Sequence, residues 1–435
     1  MANSLTGIKI EDFFIESLDG SKKFDLANGT LSVDYYEDIL EPCVSMKVSA
    51  MFSFNIVSEL PIRGGERVVL DFTLPSGEFK MDSEKTMYVY KVGELQSDKQ
   101  SVTFNLYLSS KEHFINEISR CPRKFENVPI STHVEKILKE DLFTEKECDI
   151  EETRGEYSFY GNTRKPFYIL QWLAPKAVPV IVNKSGTSGE DGTKDGESNG
   201  TSGYFFYENQ DGFNFRSVEK LVSNAQVNSD KKKAKFRYIS KGFGGVDSNS
   251  EESNFQIIEY FLDKNIDVRR SLRIGMYSNQ SIFYNTQTHS VSYFKYNLSD
   301  QIAGTLGGDG MDTPAELFAG APSRQLFRTS DHGVTSLLNP SSRDEGDMAR
   351  SFSRYNLLFT QSLNILVPCN IKLMVGDVIF CELPSLEAGK GSDIDTKRSG
   401  NYLIKELCHH FSLNQNTTSL KLIRDSYGVY GTNAS

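Results

Sequence analysis

From Val44 to Ile56 the chain alternates without a break. Val44, Met46, Val48, Ala50, Phe52, Phe54 and Ile56 are apolar, and the positions between them are mostly Ser, Lys and Asn. A period of two places one face of a strand in a core and leaves the other wet. The stretch GERVVLDFTLPS at 65–76 follows, then a strand-like YVYKVGEL from Tyr88, a polar turn SDKQ at 97–100, and an alternating VTFNLYL at 102–108. Far downstream the same sequence of signals returns. LFTQSLNILVPCNIKLMV leads into GDVIFCELPS at 376–385, then YLIKELCHHF from Tyr402, a turn LNQNTT at 413–418, and SLKLIRD at 419–425. The two glycines stand 311 residues apart and the two tyrosines 314, so order and spacing are nearly kept. Each copy reads as the outline of an antiparallel meander. Gly65 and Gly376 are expected to supply turn conformations that side chains disfavour, with Glu66 and Asp377 beginning the strands. The Pro that closes each stretch lacks an N–H and marks a strand exit.

Between the copies the rhythm changes. Ser109-x-x-Glu112 and Thr132-x-x-Glu135 both fit a capping box, and Val134, Ile137, Leu138 and Leu142 mark one helix face. A further helix is expected over 166–177, with Pro166 in its first turn and Phe167, Leu170, Leu173, Ala174 and Ala177 on one side. Trp172 reads as a packing residue. VPVIV and YFFYENQDGFNFRSV flank a Gly-rich, almost wholly polar block at 183–203, expected to be a mobile hairpin tip. Strand-like signals resume from Phe255 to Leu298, assigned to the opening of the second β domain. Residues 301–351 are rich in Gly, Ser, Pro and Asp and end in Ser342-x-x-Glu345, which caps a short helix carrying Met348, Phe352 and Tyr355.

The fold class expected is therefore mainly β with an α+β middle domain: two antiparallel β-barrel domains per chain plus smaller inserted ones. The division is 1–110 for the first β domain and 111–252 for the middle domain with its 183–203 tip. The second β domain comprises 253–300 and 352–428, and 301–351 is an insertion with a short helix.

At 435 residues the chain is too long for one core. It has no apolar run long enough to span a bilayer, and MANSLTGIKIEDFF lacks the basic and apolar regions of a secretory signal. The formal net charge is −10, and the longest basic run, Lys231-Lys232-Lys233 followed by Lys235 and Arg237, reads as a solvated strand edge. Nucleic acid, if met, is expected to be touched without being gripped. Six scattered cysteines with no C-x-x-C suit folding in a reducing cytoplasm without a disulfide framework.

Candidate chemistry is sparse. Cys408-His409-His410 lies in a strand-like run, where neighbours point to opposite faces and cannot easily share a metal ion. His113 and His133 fall near helix starts and read as structural. GTLGGDG at 304–310 lacks the Gly-Lys-Ser/Thr of a phosphate loop, and no G-x-S-x-G or H-E-x-x-H occurs. The acids Asp34, Glu37, Asp38 and Glu41 read as a solvated turn. No catalytic, cofactor-binding or metal-binding residue is assigned. The positions singled out are the turns and strand starts of the repeat: Gly65, Glu66, Gly376, Asp377, Tyr88 and Tyr402.

The order of YYEDILEPCVSMKVSAMFSF, LPIRGGERVVLDF, YFFYENQDGFNFRS, NIDVRRSLRIGMYSNQ, LNILVPCNIKLMVGDVIFCELP, SGNYLIKELCHHF and TTSLKLIRD resembles the central baseplate hub of contractile-tailed bacteriophages, related to the hub part of type VI secretion spike proteins. The resemblance spans most of the chain, excepting 183–203 and 301–351, and rests on β-domain wording rather than catalytic residues. It implies two tail-tube-like β-barrels per chain and a homotrimer whose six barrels form a pseudo-sixfold ring. That ring joins a trimeric central spike to the hexameric tail tube and forms part of the channel for DNA. Tape-measure and baseplate wedge proteins are further partners it implies, as is a place in the virion after assembly in the host cytoplasm. An acidic lumen would repel passing DNA rather than bind it. With no spike-like segment after Asp425, the spike is expected to be a separate polypeptide. Alternatives are the hub of a phage-like injection device, a distal-tail or tube-initiator protein with one barrel per chain, and a cell-wall-degrading enzyme using Glu37 and Asp38.

Overall fold

The computed structural model describes residues 8–53, 62–98, 101–180, 203–227, 236–240, 255–264, 267–286, 288–297, 322–330, 345–385, 394–395, 398–412 and 415–425. Strands dominate. The first part of the chain supplies β1 (Lys9–Glu16), β2 (Lys23–Asp25), β3 (Thr30–Asp38), β4 (Ser45–Phe52), β5 (Arg67–Leu74), β6 (Gly77–Met81), β7 (Met87–Ser97) and β8 (Val102–Ser110). The alternation at 44–52 is realised in β4 and the residue before it: Val44, Met46, Val48, Ala50 and Phe52 are buried while Ser45, Lys47 and Ser49 are not. Phe54 and Ile56 lie outside the described residues.

The middle of the chain contributes α1 (Lys111–Ile118), β9 (Lys124–Pro129), α2 (Ile130–Lys136), β10 (Glu147–Ile150), β11 (Glu156–Tyr160), α3 (Pro166–Leu173), β12 (Tyr204–Glu208), β13 (Gly212–Ser217) and α4 (Val218–Val227). It has its own apolar cluster, in which Val134, Ile137, Leu138 and Leu142 meet Phe167, Leu170 and Leu173. Trp172 packs beside Phe159 and under Lys176, whose Nζ stands 4.1 Å from its ring. Both expected capping boxes are absent. Ser109 Oγ donates to the Val44 carbonyl, and Glu112 is drawn into a buried ion pair instead. Thr132 sits inside α2, and Glu135 pairs with Lys139 one turn on.

The remaining elements are β14 (Arg237–Ser240), β15 (Gln256–Ile257), β16 (Glu259–Lys264), α5 (Val268–Ile274), β17 (Ser278–Asn285), β18 (Ser290–Asn297), β19 (Arg324–Thr329), α6 (Glu345–Leu358), β20 (Gln361–Pro368), β21 (Val378–Glu382), β22 (Gly400–Ser412) and β23 (Thr417–Arg424). β17 and β18 do not open the second β domain, as their apolar pattern had suggested. They pair with β19, from within 301–351, as a separate three-stranded sheet. α6 covers that sheet through the Ser353 Oγ–Asn279 Nδ2 contact of 2.7 Å and through Phe352 between Arg324 and Arg328. The expected helix start at Ser342, the 304–310 glycines, Lys231–Lys233, Lys235 and nearly all of the 183–203 tip lie outside the described residues. Among the described residues no helix is long and apolar enough to cross a membrane.

Fifteen strands join in one sheet. Within it the order β4-β8-β7-β5 is matched by β20-β23-β22-β21, each neighbour antiparallel. Outside these, β3 pairs with β4, as β16 pairs with β20. The two runs differ beyond β5 and β21, where β1 is antiparallel and β14 parallel. They are joined by β3 against β22, from Ser32↔Ser412 to Asp38↔Glu406. Among the described residues neither run closes into a barrel, and one apolar cluster serves both, with Phe72 of β5 and Phe79 of the adjoining β6 against Phe411 of β22.

Candidate functional site

The paired turns are built alike. Gly65 has φ +94° and Gly376 φ +90°, a left-handed region where a side chain costs strain. Gly65 N–H donates to the Val89 carbonyl at 2.7 Å, and Val89 N–H donates back to Glu66 at 3.0 Å. Gly376 N–H donates to the Ile404 carbonyl at 3.1 Å, and Ile404 N–H donates back to Asp377 at 2.9 Å. The acid side chains also act alike, each accepting from a backbone N–H three residues earlier: Arg63 for Glu66 at 2.6 Å, Met374 for Asp377 at 3.2 Å. The tyrosines do not superpose. Arg67 pairs with Tyr88 and Val378 with Leu403, so Tyr402 occupies the place of Met87. A one-residue slip exchanges the faces of a strand. Tyr88 is accordingly half-buried beside Phe114, whereas Tyr402 is fully buried beneath the Arg424 guanidinium and donates to the Arg398 carbonyl.

Between the two runs lies a buried carboxyl. Val33, Tyr35 and Glu37 share the inward face of β3, so Glu37 is in the core rather than in a solvated turn. Its Oε1 accepts from Gln210 N–H at 2.7 Å and Tyr35 Oη at 3.0 Å, and its Oε2 accepts from Val375 N–H at 2.9 Å. One carboxyl thus ties the first run, the middle part and the second run. Burial pushes Glu37 up to about 8, outweighing these three donors, and Asp377 adds to the rise. Asp34 and Asp38 point the other way. Asp34 bonds His410 across the β3–β22 junction, and Asp38 accepts from Leu40 N–H at 2.9 Å.

A second buried polar group lies beside it. Lys146 Nζ donates to Glu112 at 2.9 Å and to Glu208, with all three side chains nearly inaccessible. Glu208 also accepts from Val44 N–H at 3.0 Å and Ser110 Oγ at 2.8 Å, which fastens β12 to β4 and β8. Burial alone would lower the Lys146 ammonium, but the two carboxylates outweigh it and hold the pKa above lysine's ordinary value. Sequence reasoning missed this triad, because its members are scattered along the chain and only Glu112 carried a local signal, for a different role.

The Cys408-His409-His410 run alternates as a strand does. His409 is buried against Tyr35, with Nδ1 2.8 Å from Thr418 Oγ1, and burial pushes it down to about 3. His410 faces Asp34 on the opposite side. His133 Nε2 lies 2.6 Å from the Tyr157 carbonyl in the middle cluster, and burial lowers its pKa. Among the described residues no group of three metal-ligating side chains comes together. A cleft of about 510 Å³ crosses the outer face of β3, β22 and β23 beside Tyr36, Asp38, Glu406 and Lys421. Glu37 and Asp38 both border it, but they are strand neighbours whose side chains point to opposite faces.

These features belong to a sheet that joins distant parts of the chain. The chain is 10% identical to the 43 kDa tail protein of prophage MuSo2 from Shewanella oneidensis, covering 95% of this chain and 98% of that one with a TM-score of 0.51. The fold is that of a phage tail protein. A tail protein of Neisseria meningitidis MC58 aligns over 96% of this chain and 98% of its own at 10% identity and a TM-score of 0.49. The Escherichia coli c3393 protein, a type VI secretion component similar to T4 tail proteins gp27 and gp5, aligns over 98% and 79% at 11% identity and 0.43. No protein-family model matches this tail-protein fold's sequence, and no curated protein matches it.

Proposed function

We propose that the chain is the central hub of a phage tail baseplate: a homotrimer whose pseudo-sixfold ring joins a trimeric spike to the hexameric tail tube and forms part of the channel for DNA. The observation that carries this reading is the strand order β4-β8-β7-β5 repeated as β20-β23-β22-β21 in one chain with a tail-protein fold. Two similar units per chain let three chains present six similar surfaces, which is what a threefold-to-sixfold adaptor requires. The units are built on residues 1–110, and on 253–264 with 361–428. The 111–252 part is clamped to the first by the Lys146 triad, and the β17–β18–β19 sheet with α6 is inserted in the second. Gly65–Glu66 and Gly376–Asp377 are the equivalent turns of the two. The role is structural and non-enzymatic, within the virion tail after cytoplasmic assembly, with spike, tube, tape-measure and wedge proteins as partners.

The test is solution mass by light scattering, followed by negative-stain class averages. A mass about three times the 49.0 kDa chain, in rings with six similar lobes, is the expected result. A hexamer of single-lobed subunits would overturn it in favour of a tube initiator.

A further inference from the structure

The junction inside the chain has an unused counterpart at each end. In the first run β7 holds the position that β22 holds in the second, and β16 holds that of β3. One edge of β22 is shared: its first residues pair with β21 from Gly400 to Leu403, and its last pair with β3 from Glu406 to Ser412. The same edge of β7 pairs with β5 only at Met87 and Tyr88. Beyond that point, from Lys91 to Ser97, it carries no strand among the described residues. β16 pairs with β20 along one edge, and among the described residues its other edge carries no strand either. Both open edges expose apolar side chains, Phe261 at 64% on β16 and Leu95 at 54% on β7. An open edge with apolar side chains is a template for another strand.

We infer that β16 of one protomer adds antiparallel to the Lys91–Ser97 edge of β7 in a second copy of this chain, repeating between chains the β3–β22 junction within each. This rests on the trimeric reading above and specifies its interface. The internal ladder fixes the register beyond the bulge that β7 has between Gly93 and Gln96 and β22 lacks. Lys47 and Asn364 are equivalent, since each stands opposite the residue that pairs with Lys91 or Glu406. Asp34, opposite Lys47, therefore corresponds to Phe261, opposite Asn364. His410 corresponds to Gln96, because Thr417 and Thr103 are their equivalent partners. The pairs Tyr35↔His409, Asp34↔His410 and Val33↔Phe411 within the chain become Leu262↔Leu95, Phe261↔Gln96 and Tyr260↔Ser97 between chains. The internal contact stacks Tyr35 on His409 and joins Asp34 to His410. The contact between chains covers Leu262 with Leu95 and seats Phe261 on the outer face. Each chain offers one edge of each kind, so the contact runs head to tail and ends only by closing into a ring.

Cysteine cross-linking of the full chain tests this. Directly opposed residues in an antiparallel pair have Cα atoms about 4.5 to 5.5 Å apart, within disulfide reach. The double variant Phe261→Cys with Gln96→Cys, oxidised in solution, is expected to run mostly as covalent dimers and trimers on a non-reducing gel, and neither single variant to do so. Both positions are exposed, and an unchanged circular dichroism melt verifies the fold. The off-register pair Phe261→Cys with Tyr90→Cys is expected to cross-link far less, and equal yield would overturn the register. No covalent multimer from a sample whose scattering mass is three chains would overturn the edge pairing and leave the trimer standing. No multimer and a single-chain mass would overturn both.

Discussion

The Glu37 carboxyl makes the stability of the sheet fall as pH rises, and the amount can be worked out. Burial raises its pKa from an ordinary 4.5 to about 8. The folded chain therefore holds this proton more tightly than the unfolded chain. The contribution is complete below about pH 4.5, shrinks at up to about 1.4 kcal/mol per pH unit, and is gone above about pH 8, a total of roughly 5 kcal/mol. Glu37→Gln removes the titration but keeps the shape. The amide has one oxygen and one NH2 where the carboxyl met donors on both sides, from Gln210 and Tyr35 on one oxygen and Val375 on the other. One bond is lost and two donors face each other, at a cost of about 1 to 3 kcal/mol. At about pH 4.5 the variant is expected to be the weaker protein. The two curves should then cross between about pH 5 and 7, with the variant the more stable at about pH 9. Urea midpoints by far-UV circular dichroism, measured for both proteins across this range, read the difference directly, since every other titrating group cancels. A difference independent of pH would refute the reasoning, because it would mean that Glu37 is ionised throughout in the folded state.

Three further outcomes follow from the same geometry. Lys146→Met leaves Glu112 and Glu208 buried without a counter-ion and is expected to destabilise by about 3 to 5 kcal/mol, seen as a lower Tm by Trp172 fluorescence. Gly376→Ala should cost more than Gly65→Ala in urea midpoint. Both need a positive φ, but a Cβ at Gly376 meets Tyr207 Oη at 2.2 Å, whereas at Gly65 it meets only Leu18 Cδ2 at 3.1 Å. Cys121 and Cys408 are pushed up to about 12 and Cys148 to about 11, each chiefly by burial, so these thiols should resist Ellman's reagent near neutral pH until the chain is unfolded.

What the sequence revealed was what neighbouring residues decide. The alternation at 44–52 placed β4 correctly, the glycine-acid pairs located two turns with the same hydrogen bonds, and the helix faces at 134–142 and 167–177 are the buried ones. What it concealed depends on distant partners. The inward parity of Glu37 was visible beside Val33 and Tyr35, but its two backbone donors lie 173 and 338 residues away. Glu112 had a local capping signal, and a lysine 34 residues on prevailed over it. Tyr88 and Tyr402 matched as letters, while hydrogen bonding aligns the strands one residue differently. The β17–β18 hairpin carried an ordinary strand pattern, and nothing in that pattern names β19 as its neighbour.

The β3–β22 junction also sets a clock on synthesis. Asp34 waits for His410, 376 residues later, so at ribosomal rates of about 5 to 20 residues per second the first run has an uncovered edge for roughly 20 to 75 s. During that time it is an open template for any strand of a neighbouring nascent chain. A polypeptide truncated before Gly400 never closes that edge, and it is expected to aggregate rather than accumulate as a folded half.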